Sequence, residues 1–445
     1  MLKKIIKKQP SPVFGQVVLK IKNQLDKYKI GHNDTENFSM KISTDPFFIT
    51  TEELSCLNKK AFWYREWLRI TNELYLKGLK EENWRWVVEL IDGKTSEQII
   101  SLHRELLLRA GIILPLFARA DQSNLKKAVE LQVPGSGWTE GQAINETFLK
   151  HINGKTLGFG FVKGFCDGIR QLSHKKSPSV IFFAPTKEFF RETVWFADQC
   201  KNEGVEAIVS GGKINSIDKF DVVRRLSIYR TIPLLSIPTE EIVKKIATGS
   251  LHVEPPINII YDQKVHLVLP FDPRSRTHFP DEIRELFPET YLVSRKFPGI
   301  TIFDAGEEKF FSWDDIIKSS RKKRQFVLKY GGSSPGRWSG SRAVYNLSEM
   351  TKRVCADLLE QALSETDTME EPWIIQSLIS SKFPVSYFDE NSQKLETKSL
   401  HARICPTYYW GRSENGEILG GVVNFRNHWK VHSGRDVVVA PIYIK

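Results

Sequence analysis

The sequence is short of the features that mark several large classes of protein. Its five cysteines (Cys56, Cys166, Cys200, Cys355 and Cys405) are dispersed, odd in number and never spaced as Cys-x-x-Cys. That pattern argues against a disulfide framework and a cysteine zinc site, and a reducing cytoplasm is the expected compartment. No apolar run approaches the roughly 18 residues of a membrane-spanning helix, so no membrane partner is expected. The basic start, Met1-Leu-Lys-Lys-Ile-Ile-Lys-Lys, lacks the apolar stretch of a secretory signal and reads as a frayed terminus. Neither Gly-x-Gly-x-x-Gly nor Gly-x-x-x-x-Gly-Lys-[Ser/Thr] occurs, so the two best-known phosphate fingerprints are missing. Internal repeats and long low-complexity linkers are absent as well.

What is present fits a soluble globular protein: 41% hydrophobic and 26% charged over 445 residues, enough chain for two or three packed domains. The formal net charge of +11 favours an anionic partner, whether a nucleotide, an acidic substrate or nucleic acid. Only Arg321-Lys-Lys-Arg324 is a true basic run, and no nucleic-acid-binding motif appears, which leaves nucleic acid the weakest of the three.

Residues 1 to about 110 read as mostly helical. Phe62, Trp63, Trp67, Leu68, Ile70, Leu74 and Leu76 recur at helical spacing, and Thr95-Ser-Glu-Gln98 has the form of a capping box opening the next helix. The tryptophans of this region are expected in the core. Residues 112–135 read as two short antiparallel strands joined by a polar turn. Ser179–Ala184, an amphipathic helix over Lys187–Glu203 and Ala207–Val209 form a β-α-β unit of Rossmann-like type, continued by Asp221–Arg230. Further strands are expected at Phe326–Leu328, Trp373–Ile379, Ser399–Ile404, Leu419–Arg426 and Val437–Ala440, with a helix over Thr351–Leu363.

Chemistry gathers at a few positions. Phe326–Leu328 delivers Lys329 into a turn rich in Gly, Ser and Pro, where Gly331, Gly332, Gly336 and Gly340 can take positive φ and expose backbone N–H groups to an anion. Lys329 is expected exposed at the strand end, so its removal should affect turnover rather than folding. Strand alternation puts Glu130 and Gln132 on one face, and Asp121 from the preceding strand can converge with them. Two carboxylates and an amide oxygen make a hard-oxygen set suited to Mg²⁺; an ordinary polar sheet face is the alternative. Lys264 stands in an apolar context, and Gln376 is the single amide of an apolar strand. Arg119, Arg403 and Arg426 each offer a fork for carboxylate or phosphate, with surface ion pairs as the alternative. His432 and Arg435 belong to a polar turn before the last strand.

Together these pieces resemble the ATP-grasp superfamily in its circularly permuted order, as in eukaryotic glutathione synthetase and glutathionylspermidine synthase-like amide ligases. Arg119-x-Asp121 followed by Glu130-Leu-Gln132-Val-Pro-Gly135 is similar to that family's metal-holding strand pair. Lys264, followed 65 residues later by Lys329 and its glycine loop, is similar to its phosphate lysines. Trp373-Ile-Ile-Gln376-Ser-Leu-Ile379 resembles the segment that reads adenine. The carboxylate strands precede Lys329 by about 200 residues, as permutation would produce.

The resemblance implies an α+β fold with α/β elements. Its parts would be a helical region at 1–110, the strand pair and helices at 111–175, a Rossmann-like substrate domain at 176–300 and ATP-binding lobes at 301–445. It also implies ATP and Mg²⁺, with Lys264, Lys329, Gly331, Gly332, Gly336 and Gln376 on the nucleotide and Asp121, Glu130 and Gln132 on the metal. Arg119, Arg403 and Arg426 would face the reacting groups. The implied reaction activates a small-molecule carboxylate as an acyl phosphate and joins it to an amine of amino-acid, peptide or polyamine type. Two departures stand out: Gln132 replaces the family's Asn, and Ser333 and Ser334 stand where an acidic metal ligand follows the lysine. A catalytically weakened, nucleotide-binding member is therefore the second reading.

Overall fold

In the computed structural model, the residues described are 18–23, 25, 40–133, 137–184, 187–225, 227–296, 303–305, 308–310, 312–334, 337, 342–368, 371–389, 392, 394–411, 413–431 and 436–445. Two short strands, β1 (Lys41–Ile42) and β2 (Phe47–Ile49), lead into helix α1 (Thr51–Gly78). That helix starts where a capping box fixes it. The Thr50 hydroxyl accepts the Glu53 N–H and the Glu53 carboxylate accepts the Thr50 N–H. Leu57, Ala61, Tyr64, Leu68 and Tyr75 repeat on its buried face. At its end Gly78 lies so close to the next helix that an added Cβ would stand 2.5 Å from the Trp84 carbonyl oxygen.

Helices α2 (Arg85–Asp92) and α3 (Glu97–Ala110) complete the helical region. The capping box expected at Thr95–Gln98 does not form: Ser96 is the N-cap and makes no side-chain cap bond. The Thr95 hydroxyl turns inward instead, 2.9 Å from the Ser333 hydroxyl, and accepts a hydrogen bond from Gln263. A buried hydroxyl must find a partner, and the loop after Lys329 supplies one.

The chain then forms hairpin β3 (Phe117–Gln122) and β4 (Ala128–Gln132), helix α4 (Trp138–Leu149), strand β5 (Lys155–Thr156) and helix α5 (Phe161–Ser173). A four-stranded parallel sheet follows in the order β7-β6-β8-β9, from β6 (Ser179–Phe183), β7 (Glu206–Ser210), β8 (Val222–Arg224) and β9 (His252–Glu254). Helix α6 (Lys187–Asn202) makes the β6–β7 crossover and α7 (Thr239–Ala247) precedes β9. The parallel pairing of β6 with β7 across α6 is the β-α-β unit that the sequence pattern predicts.

Residues 259–268 then form two 3₁₀ turns with Lys264 between them. Strand β10 (Thr290–Leu292), the small hairpin β11 (Phe303–Ala305) and β12 (Glu308–Phe310), β13 (Phe326–Tyr330), β14 (Val344–Asn346), helix α8 (Lys352–Asp367) and β15 (Trp373–Ser377) come next. Their second four-stranded sheet runs β10-β15-β13-β14.

The last strands, β16 (Lys382–Asp389), β17 (Lys394–Tyr409), β18 (Glu417–Arg426) and β19 (Val438–Ile444), do not form a sheet of their own. They join β3 and β4 in a nine-stranded sheet ordered β1-β19-β18-β17-β3-β4, with β16, β2 and β5 paired to its members. One sheet is thus closed from both ends of the chain, with Thr407 opposite Arg119. The fold is mixed α and β with several sheets. Among the described residues, no helix is long and apolar enough to cross a membrane.

Candidate functional site

Register decides which side chains meet. In the β3–β4 pair Arg119 stands opposite Gln132 and Asp121 opposite Glu130, so these four share one sheet face. On the neighbouring strands Thr407 lies opposite Arg119, and Arg403 opposite Asn424, which extends the same face across β17 and β18. Five predicted site residues reach this face from three strands: Arg119, Asp121, Glu130, Gln132 and Arg403.

Arg119 donates to both oxygens of Asp121, at 2.7 and 3.1 Å, and to the Gln132 amide oxygen. Arg403 donates to Asp121 Oδ2 at 3.4 Å. Asp121 is 2% exposed. Burial pushes its carboxyl up, but Arg119 and Arg403 outweigh that and hold it below the usual range. Asp121 therefore spends its oxygens on aiming two guanidinium forks. This is a different placement from the open metal ligand that the motif implied.

Two lysines close the cluster from outside the sheet. Lys264 Nζ lies 3.2 Å from Glu130 Oε1. Lys329 Nζ donates to the Val129 carbonyl at 3.0 Å and to Gln376 Oε1 at 2.6 Å, tying the second four-stranded sheet to β4 across about 200 residues of sequence. Lys329 is not the exposed strand-end residue expected from sequence: it is 6% exposed, its amine enclosed between the Val129 carbonyl and Gln376. Burial lowers its amine to about 8, against the pull of Glu130. Gln376 is turned by Thr290, whose hydroxyl accepts from its amide nitrogen at 2.9 Å. Its side chain thus positions Lys329.

The glycines act differently from expectation. Neither Gly331 nor Gly332 has positive φ, and the Gly331 N–H is taken by the Pro372 carbonyl at 2.8 Å. Gly331 instead accepts, from the N–H groups of Lys264 and Val265 at 2.9 and 3.0 Å, which locks the lysine-bearing turn onto the strand end. An added Cβ there would meet Val265 Cβ at 3.1 Å, and one on Gly332 would meet the Tyr330 hydroxyl at 2.6 Å. Close packing requires these two glycines. Gly336 and Gly340 lie outside the described residues, as do His432 and Arg435.

Arg426 does not join the cluster. It pairs with the exposed Asp436 at 2.6 Å and reaches the Lys430 carbonyl at 3.2 Å. Sequence reasoning missed Glu140, in the first turn of α4. Its carboxyl is pushed up to about 7 by burial, with Arg403 and Arg119 pulling the other way. No motif marks it; only burial beside two arginines does.

The assembled chemistry is cationic: Arg119, Arg403, Lys264 and Lys329 gather around Asp121 and Glu130. Such a surplus, behind low-dielectric walls, suits an anion rich in oxygen. For a divalent cation, Glu130 and Gln132 fit, being partly exposed hard-oxygen donors two residues apart on one strand. Both Asp121 oxygens meet guanidinium groups and the Gln132 oxygen also accepts from Arg119, so Glu130 is the carboxylate best placed for a cation. Among the described residues no cluster of three or more His, Cys, Asp or Glu is arranged to hold a metal.

Comparison with known proteins gives a single kind of likeness. No family model matches the chain, and no curated protein matches its sequence. Among solved structures, a glutathione synthetase-like effector from Globodera pallida, in its apo form, superposes with a TM-score of 0.56 at 12% identity, covering 98% of this chain and 98% of that one. The likeness spans the whole length and concerns the fold.

Proposed function

We propose that this protein is an ATP-dependent carboxylate–amine ligase of ATP-grasp type, working through an acyl phosphate and releasing ADP and phosphate. One observation carries the reading: two lysines and two arginines, delivered by elements far apart in sequence, converge on the β3–β4 hairpin and its carboxylates. A structural neighbour bearing a glutathione synthetase-like name supports it at the level of fold.

In this reading Lys329 and Lys264 hold the phosphate chain, and Arg119 and Arg403 face the phosphoryl group and the carboxylate that accepts it. Asp121 is a positioning residue for both forks. Preset positive groups around a transferring phosphoryl stabilise charge as it spreads, without reorganising water. Lys329 must be protonated to serve, and with an amine near 8 it is mostly so at neutral pH. Glu130 and Gln132 would hold Mg²⁺, which when bound would supply charge neutralisation on the phosphates.

A second reading, a nucleotide-binding protein with weakened catalysis, is favoured by Ser333. This residue sits at the acidic position of the motif and is bonded to Thr95 rather than facing a metal. Incubation with MgATP, a carboxylate panel and hydroxylamine separates the readings. ADP with a hydroxamate supports the ligase; ATP binding without turnover supports the weakened form; AMP production overturns both.

A further inference from the structure

Between α4 and the polar sheet face lies a group of buried polar atoms that the reading above leaves unused. Helix α4 covers this face closely: an added Cβ on Gly137 would stand 3.2 Å from Arg119 Nη1, and one on Gly141 would stand 3.5 Å from Val422 Cγ1. Under that cover, Glu140 Oε1, Thr407 Oγ1, Asn424 Oδ1, Arg403 Nε and Trp138 Nε1 are all buried without a hydrogen-bond partner among the described residues. Glu140 itself is 5% exposed.

Buried polar groups are satisfied as a rule, and each exception costs about 1–3 kcal/mol. Five such atoms come together from α4, β17 and β18. They also form a set: a carboxylate and an amide oxygen that accept, and a guanidinium and an indole N–H that donate. A partner that carries N–H groups together with acceptor oxygens would satisfy this set. Amino acids and the ends of peptides have that composition.

We propose that Glu140 is the residue that receives the acceptor amine and takes its proton. This rests on the ligase reading and deepens it. The arginines that would hold the acyl phosphate are the two whose charges Glu140 feels, so the amine would meet the activated carbonyl between them. An incoming ammonium gives one proton to Glu140 and becomes a nucleophile. The C–N bond then forms, the C–O bond to phosphate breaks, and the departing phosphate oxygen takes the second N–H proton. A buried carboxyl that titrates near 7 is matched to such a transfer at neutral pH. The charged groups facing it are Arg403 from β17 and Arg119 from β3, with Asp121 beyond them.

The test compares two nucleophiles on the full-length protein. Hydroxylamine is largely unprotonated at neutral pH and needs no base, whereas glycine and spermidine arrive as ammonium ions. With MgATP, and glutamate or glycylglycine as carboxylate probes, the ratio of amide to hydroxamate is measured for the wild type and Glu140→Gln. The expected result is a ratio at least tenfold lower in the variant, with loss of the acidic limb near pH 7 in the rate of amide formation. Glu140→Asp should recover part of the ratio, and a urea midpoint at or above that of the wild type would establish that Glu140→Gln is folded. An unchanged ratio and pH profile, with hydroxamate still formed, overturns this inference alone. No hydroxamate from the wild type with any probe overturns the ligase reading and this inference with it.

Discussion

Among the described residues, the buried pairs Arg225–Asp262 and Arg119–Asp121 are finished differently. Arg225 and Asp262 form an ion pair of 2.7 Å with neither side chain exposed. Its remaining valences are used up: Arg225 donates to the Pro255 and Pro256 carbonyls at 2.8 and 2.6 Å, and Asp262 accepts the Ile228 N–H at 3.1 Å. It fastens the end of the parallel sheet to the 3₁₀ segment ahead of Lys264. Arg119 and Asp121 make a comparably close pair of 2.7 Å, but in different company. A second arginine, two lysines and several unsatisfied polar atoms surround it. The first pair is closed off by backbone groups, whereas the second sits beside surplus positive charge and neighbouring polar atoms without partners among the described residues, which is where the proposed function places its ligand.

Breaking each pair should expose that difference. Arg225→Ala strands Asp262 in the interior and is expected to cost about 3–5 kcal/mol in urea unfolding. Arg119→Ala leaves Asp121 with Arg403 as counter-ion, so its stability loss should be less than half as large. Its loss of ATP-dependent turnover should be about 10²–10³-fold, the scale of removing one preset charge-stabilising donor. Equal stability losses would erase the distinction.

A pH series sharpens it. The Lys329 amine, lowered to about 8, lies below the lysine value of the unfolded chain, so between these values the unfolded chain binds more protons. Stability therefore rises with pH across that window. Anion affinity moves the other way, because only the ammonium form attracts phosphate. ATP affinity measured without metal should fall by up to about tenfold per pH unit above pH 8, and Lys329→Met should remove most of that slope. The smallest effect is reserved for Arg426→Ala, which removes one exposed pair. Stability should change by within about 0.5 kcal/mol, and turnover should stay within about twofold.

Much of the framework was legible in the sequence because its patterns are local. The apolar runs at 179–184 and 326–328 and the helical spacing over 62–76 each report on neighbours a few residues away. The β3–β4 hairpin can be read with its face, so the sequence places Asp121, Glu130 and Gln132 together, as the register does. The burial of Lys329 could not be read, because its amine is enclosed partly by the Val129 carbonyl, 200 residues earlier. Thr95 misled for the same reason: its capping box lost to a distant partner, Ser333. Arg426 and Arg403 look alike in sequence, and only register separates them. The former stands opposite His401, nearer the sheet's end, and the latter opposite Asn424, beside Asp121. Glu140 carries no local signal at all, since its environment is built by β3 and β17.

The most direct test of the central claim is an equilibrium titration of the wild type and of Lys329→Met with ATP, each with and without Mg²⁺. The wild type should bind ATP, and the variant should bind at least tenfold more weakly while unfolding at no lower urea concentration. Absence of ATP binding to the wild type, or equal affinities for the two proteins, would contradict the assignment of this cluster to a nucleotide.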